Sequence, residues 1–199
     1  FEEIKKLGEG NFTQVNQVLY RGTKMYAVKV CSMAKVKNLR KETDILMEKH
    51  ALNKLRDRYN KEMPCVKLIG TFKDEENLYF VMEILQGKNE MWSACRNFGL
   101  LSDQATRITF KEICKQVKKL HDASIIHRDL KSLNIFLTKD NSAKIGDLGA
   151  ARRLDSQGNI IEEVSEIPHK VGTPFYLAPE LWKDSPCSKK SDIWALGVI

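Results

Sequence analysis

The alternation of apolar and polar positions changes character along the chain. Phe1 to Gly10 and Thr13 to Tyr20 are short alternating runs on either side of a glycine-rich turn, the pattern of a strand hairpin. Arg21-Gly22-Thr23-Lys24 is a second turn. Met25 to Cys31 follows as an apolar strand interrupted by one lysine, Lys29. From Val36 to Leu55 the period lengthens. Leu39, Leu46, Met47, Ala51 and Leu55 recur at three- and four-residue steps, which predicts one helix. Val66 to Phe72 and Leu78 to Leu85 return to strand, joined by the charged turn Lys73 to Asn77. Beyond Gly87 the pattern turns helical. Ser102 suits the N-cap of a long helix to His121, with Ala105, Ile108, Ile113, Val117 and Leu120 as its apolar face. Ile135 to Thr138 and Lys144 to Gly146 read as short strands around the turn Asp140-Asn141. Asp147 to Glu180 shows little periodicity, and so long an irregular stretch inside a domain is usually functional. Ser191 opens a last helix. Strands first and helices later predict an α+β protein of two lobes, 1–86 and 87–199, with the boundary near Gln86-Gly87.

Composition narrows the class. The 199 residues are 42% apolar and 30% charged, an ordinary globular mixture. No apolar run approaches the ~18 residues of a membrane span, so no membrane insertion is expected. Five scattered cysteines (Cys31, Cys65, Cys95, Cys114, Cys187) contain no Cys-x-x-Cys. That argues against a zinc ribbon or a disulfide framework and for a reducing, cytoplasmic setting. The net charge of +7 would allow an acidic partner. The lysines, however, lie mostly beside acids, and no helix-turn-helix, finger or aromatic platform is present, so no nucleic-acid partner is expected. The missing initial Met and the apolar stretch Trp194 to Ile199 read as cuts in a longer protein.

Two constellations carry chemistry. Gly8-Glu9-Gly10 lies between two strands, and most such turns are only hairpins. Lys29 in its apolar strand could likewise be an edge residue facing solvent. Together they allow backbone N–H groups to close over phosphates while the lysine reaches them, without the Gly-Lys-Ser/Thr of a Walker loop. The second constellation starts at His127-Arg128-Asp129. Asn134 follows five residues after Asp129, and Asp147 eighteen after it. Each alone is an ordinary turn residue. As a set, two carboxylates and an amide at the edges of short strands are hard oxygen donors suited to Mg²⁺.

Five motifs stand in order: Gly8-Glu9-Gly10-Asn11-Phe12-Thr13-Gln14-Val15, Ala27-Val28-Lys29, His127-Arg128-Asp129-Leu130-Lys131-Ser132-Leu133-Asn134, Asp147-Leu148-Gly149 and Ala178-Pro179-Glu180. In these the whole chain resembles the eukaryotic protein kinase catalytic domain. Asn134-Ile135-Phe136-Leu137, Val171 to Tyr176 and Lys190 to Gly197 are similar to the NIMA-related kinases. The resemblance implies a small β-rich lobe and a helical lobe incomplete at its C-terminal end. It also implies ATP, Mg²⁺ and a protein substrate bearing Ser or Thr, the last from Lys131 and Thr173. Gly8 and Gly10 would cover the nucleotide phosphates, with Val15 and Ala27 above the adenine and Phe136 below. Lys29 would hold the phosphates, paired to Glu48, with Glu42 the other carboxylate considered. Met82 would be the gatekeeper, and Glu83 and Leu85 would offer backbone hydrogen bonds to adenine. Asn134 and Asp147 would bind Mg²⁺. Asp129 would orient the substrate hydroxyl and accept its proton, and Lys131 would sit on the transferred phosphate. Leu52, Leu68, His127 and Leu148 would form an apolar spine. His50 and His121 are expected to be unpaired, structural helix residues.

The resemblance also implies a role in the cell cycle or at centrosome, microtubule or cilium. The other reading is an ATP-binding pseudokinase or scaffold module, against which the retention of Lys29, Asp129, Asn134 and Asp147 speaks. Thr13 replaces the usual third glycine and Leu148 the usual phenylalanine. His169 stands where many relatives carry an activating phosphosite, with Ser165 the nearest upstream hydroxyl and Glu162, Glu163 and Glu166 a candidate acidic mimic. Asp192 is expected to tie the last helix to the Asp129 loop, and Trp194 to pack beneath the activation segment. Glu180 is expected to lack a partner, and Leu196, Val198 and Ile199 to lie uncovered.

Overall fold

The computed structural model describes residues 1–85, 91, 102–138, 142–161, 171–183 and 185–199. Cys95, the expected lobe boundary at Gln86-Gly87, the turn Asp140-Asn141 and the residues Glu162, Glu163, Ser165, Glu166 and His169 lie outside the described residues. The chain forms two compact units. One comprises Phe1–Thr43 and Val66–Leu85, the other Asp44–Cys65 and Gln86–Ile199.

The first unit is an antiparallel sheet of β1 (Glu2–Glu9), β2 (Thr13–Tyr20), β3 (Lys24–Ser32), β4 (Leu68–Lys73) and β5 (Asn77–Glu83), in the order β1-β2-β3-β5-β4. Strict alternation on β2, β3 and β5 sorts the side chains onto two faces. Val18, Val28 and Val81 pack together on one face with Tyr26, Val30 and Tyr79. The helix expected over Val36–Leu55 is instead two, α1 (Met33–Asn38) and α2 (Glu42–Tyr59). The break has a local cause. Arg40 adopts φ 52°, and Arg40 N–H and Lys41 N–H donate to Lys37 O and Val36 O at 3.1 and 2.9 Å. This is a Schellman stop with arginine at the position glycine usually takes, so no glycine marked it. Leu39 falls in the break and is exposed, and Leu46 points to solvent. The buried face of α2 is Ile45, Met47, Glu48, Ala51, Leu52 and Leu55.

The second unit takes most of α2, contrary to the expected boundary. Ile145 N–H donates to Pro64 O at 2.8 Å, Cys65 bridges Ile145, and Tyr59 Oη donates to Lys119 O at 3.0 Å. These contacts tie the end of α2 to α3 (Asp103–Asp122) and to the hairpin of β7 (Ile135–Leu137) and β8 (Ala143–Ile145). Ser102 caps α3, its hydroxyl accepting from Ala105 N–H at 3.3 Å. Ile113, Val117 and Leu120 are buried as expected, but Ile108 is exposed. The segment after Asp147 has more order than its sequence suggests. Arg152–Arg153 forms β9 against β6 (Ile125–Ile126). Leu154 and Ile160 then close a tight loop whose apolar residues join Ile126, Leu177, Ala178, Leu181 and Cys187.

After α4 (Pro179–Trp182), the last helix α5 (Lys189–Val198) starts two residues earlier than expected. Ser188 is its N-cap, and Ser191 closes a capping box by accepting from Ser188 N–H at 3.2 Å. Leu196 is buried with Ala195, Asp192 and Ser191 on one face. Ile193, Trp194 and Val198 fall on the opposite face, each about half exposed. Glu180 is not without a partner, since Ser191 Oγ donates to it at 2.8 Å.

Candidate active site

In the first unit, strand register decides which residues share a face. Val15 stands opposite Lys29, Lys29 opposite Phe80, and Ala27 opposite Met82. Cross-strand partners point to the same side. The sheet therefore brings Val15, Ala27, Lys29 and Met82 together on the face opposite Val28. β3 is an interior strand, so Lys29 is no edge lysine; only 8% of it is exposed. Gly8 pairs with Val15, and Gly10 N–H donates to Thr13 O at 2.8 Å. A β-carbon on Gly10 would meet Thr13 Oγ1 at 3.0 Å, so the glycine gives the turn room for the threonine that follows. Glu83 N–H is committed to Lys67 O at 2.9 Å. A hydrogen bond from the Glu83 backbone to a base would therefore have to come through its carbonyl. Leu85 ends the described part of this unit, half-buried.

In the second unit, the loop after β6 is built on a buried carboxylate. Asp192, 1% exposed, accepts from His127 N–H at 2.9 Å, from Arg128 N–H at 3.0 Å and from His121 Nε2 at 2.8 Å. The expected tie from α5 is present, and His121 is part of it rather than unpaired; His50 is not without a partner either. His127 is fully buried. Its Nε2 lies 2.9 Å from Gly146 O, which can only accept, and its Nδ1 accepts from Asp129 N–H at 3.2 Å. Those bonds assign the proton to Nε2 and leave neither nitrogen for proton transfer with a substrate. Leu52 and Leu148 are buried in the same unit, and Leu68 is buried in the other.

Asp129 is held from three sides. Lys131 Nζ donates to Oδ2 at 2.7 Å and to Thr173 Oγ1 at 2.9 Å, and Thr173 Oγ1 donates to Oδ1 at 2.8 Å. The three side chains close a ring. Asn134 Nδ2 donates to Asp129 O at 2.9 Å, which leaves Asn134 Oδ1 as the atom that can face a cation. Gly146 N–H donates to Asn134 O at 2.8 Å, and so Asp147, the next residue, is brought beside Asn134. Asp147 is exposed, has φ 50°, and accepts from Gly149 N–H at 3.4 Å. Phe136 is half-buried. Its ring fills the space where a Gly146 β-carbon would lie, at 2.3 Å, so a side chain there would have to displace the ring.

Glu48 is 4% exposed, and its Oε2 would lie 3.8 Å from a β-carbon on Gly149; Glu42 is exposed. Arg128, 5% exposed with φ 71°, has its pKa lowered by burial first and then by the neighbouring Arg152 cation. Burial pushes the Cys187 thiol up, so it is a packed side chain rather than a nucleophile.

Sequence reasoning assigned no contact to Tyr176, whose hydroxyl lies 3.3 Å from Ser132 Oγ, or to the pair of Arg152 with Asp44. Neither has a local signature. The sequence marks Thr173 only as a sign of Ser/Thr specificity, and its two bonds join residues over forty positions apart.

The family model described as protein kinase domain matches residues 1–199. The chain is 35% identical over 203 residues to the serine/threonine-protein kinase PKH2 of Candida albicans, covering 100% of this chain and 21% of that protein. It is 32% identical over 208 residues to the mouse serine/threonine-protein kinase Nek1, covering 100% of this chain and 16% of the relative. With mouse Nek5 it is 33% identical over 203 residues, 100% of this chain and 30% of the relative. The chain thus spans less than a third of the length of these relatives.

Proposed function

The chain belongs to the protein kinase domain family, and from that premise we propose that it transfers the γ-phosphate of ATP to a Ser or Thr hydroxyl of a protein substrate. The observation that carries this reading is the Asp129–Lys131–Thr173 ring with Asn134 on the Asp129 carbonyl. Asp129, 18% exposed at its side chain, is anchored yet reachable. It can take a hydrogen bond from an incoming hydroxyl and remove its proton. Lys131 supplies a point charge for the phosphoryl oxygens. Positioning and charge stabilisation are nearly all that phosphoryl transfer requires of a protein. The Thr173 hydroxyl within the ring favours Ser and Thr substrates, and the relatives' names support that choice.

Asn134 Oδ1 and the exposed Asp147 carboxylate are hard donors that fit Mg²⁺. Among the described residues no group of three His, Cys, Asp or Glu side chains could hold a metal alone. Two ligands suit an ion that keeps water and nucleotide phosphate in its other positions. When bound, such an ion neutralises phosphate charge. Lys29, Val15, Ala27 and Met82 would serve the nucleotide from their shared sheet face. A cytoplasmic role in cell-cycle, centrosome or cilium regulation is part of this proposal; it rests on the resemblance of the sequence motifs to the NIMA-related kinases.

The test uses the full-length protein with labelled ATP, Mg²⁺ and a generic protein substrate. Label on Ser or Thr is expected in wild type. Asp129→Asn should lower kcat by at least about 10²-fold with nucleotide affinity nearly unchanged. Near wild-type kcat in that variant would remove Asp129 from its role.

A further inference from the structure

Two arginines are buried in the second unit, and neither side chain is part of the Asp129–Lys131–Thr173 ring. The pairing of β6 with β9 sets Arg152 opposite Ile126, two residues before Arg128. Both are nearly inaccessible, Arg128 at 5% and Arg152 at 6%. Arg152 Nη1 donates to Ala151 O at 2.8 Å. Its Nη2 pairs with Asp44 Oδ1, whose side chain is 16% exposed. Two like charges out of water repel. Burial first and then the Arg152 cation lower the Arg128 pKa, while Cys187 and Asp44 act in the opposite sense. Asp44, from a different element, is therefore the carboxylate paired with Arg152, and its charge also favours the Arg128 cation. Burying such a pair is tolerated only with an anion in good geometry.

Asp44 also has a position that matters. It stands four residues before Glu48 on α2, on the same helical face one turn below. Glu48 is buried beside the Asp147–Gly149 turn, and Arg152 follows that turn on β9. The Asp44–Arg152 pair therefore fixes the rotation of α2 against the strand that leaves Asp147. In many switches a phosphate added opposite an arginine cluster supplies this anion and orders the segment. Here a carboxylate written into the sequence already does so.

We propose, resting on the phosphotransfer reading above, that Asp44 is the built-in counter-anion of the Arg128–Arg152 pair and sets α2 in its working position without phosphorylation of the segment after Arg153. Asp44 and Arg152 are positioning residues; neither touches the reacting atoms.

The experiment compares full-length wild-type protein before and after phosphatase treatment, with phosphate content followed by intact mass. Asp44→Asn and Asp44→Glu are assayed beside it, with and without added sodium sulfate. The phosphate-free wild type should keep its kcat. Asp44→Asn should lose roughly tenfold in kcat with little change in peptide KM. Sulfate should recover several-fold of that loss in Asp44→Asn while leaving wild type unmoved, a response that mere loss of packing would not give. Asp44→Glu should retain most of the activity. A wild type active only when phosphorylated overturns the proposal, as does Asp44→Asn with undiminished kcat or with a loss that sulfate leaves untouched. Should Asp44→Asn fail to fold, the phosphatase comparison and Asp44→Glu still decide. A wild type that transfers no phosphate in either state would instead defeat the kinase reading itself.

Discussion

At the scale of single residues, the site depends on which atom of each polar group is already committed. Asp129 keeps both carboxylate oxygens bonded, to Lys131 and to Thr173, and Thr173 closes the ring by donating to Asp129 Oδ1 and accepting from Lys131 Nζ. Thr173→Ala deletes both bonds and should lower kcat by about 10–100-fold, since a misplaced base loses orientation. Thr173→Ser keeps the hydroxyl and should stay within a few-fold of wild type. Steady-state kinetics on one peptide substrate compares them, and equal losses in both variants would show that the hydroxyl is not what matters. The two carboxylates considered for α2 separate by burial. Glu48 is 4% exposed and Glu42 is exposed. Glu48→Gln should reduce kcat/KM by at least about tenfold, and Glu42→Gln should leave it unchanged. Damage from Glu42→Gln in the same assay would place the helix register wrongly. Much of this layer was legible from residue type alone: Asp129, Lys131, Asn134 and Asp147 are groups that phosphoryl transfer needs. The partners of Asp192 were only half legible. Its tie to the loop backbone was expected, whereas His121, 71 positions away, carried no signal.

At the scale of elements, most strands and α3 followed from alternation and capping, and the exceptions have backbone causes. Arg40 stops α1 in a conformation that usually calls for glycine, so a pattern that continues across residues 36–55 hides two helices. Gly172 shows the converse, a glycine with a tertiary reason. Its φ is 126°, and a β-carbon there would lie 2.7 Å from Arg128 O and 3.1 Å from Leu177. Gly172→Ala must push the Thr173 segment off the loop that carries Asp129. We expect a loss of about 1–3 kcal/mol in stability and a larger fractional loss of kcat than Thr173→Ala gives. Chemical denaturation and kinetics on the same preparation check both, and unchanged stability would mean that the backbone path is wrong. β6 and β9, two residues each, are too short for any periodicity to announce. They form because Ile125 and Ile126 are buried and their backbone groups need partners.

At the scale of the whole molecule, the grouping of α2 is the largest departure from the sequence reading. Its end is bonded to α3 and β8 through Tyr59, Pro64 and Cys65. The amide protons of residues 51–55 should therefore exchange together with those of α3 rather than with those of the five-stranded sheet. Native-state hydrogen exchange measures this, and co-exchange with β3 and β5 would reassign the helix. The sequence by itself determined the α+β class, the order of the longer strands and helices and the polar groups of the loop around Asp129. Periodicity, capping and residue chemistry are local properties, readable without knowing the path of the chain. Only the tertiary structure decided that Val15, Ala27, Lys29 and Met82 share one face, because that depends on strand register. Likewise it alone set Asp44 against Arg152 and His121 against Asp192. Such pairs arise because a buried charge must find an opposite charge or a donor wherever the fold leaves one, and nothing in the intervening residues encodes that choice.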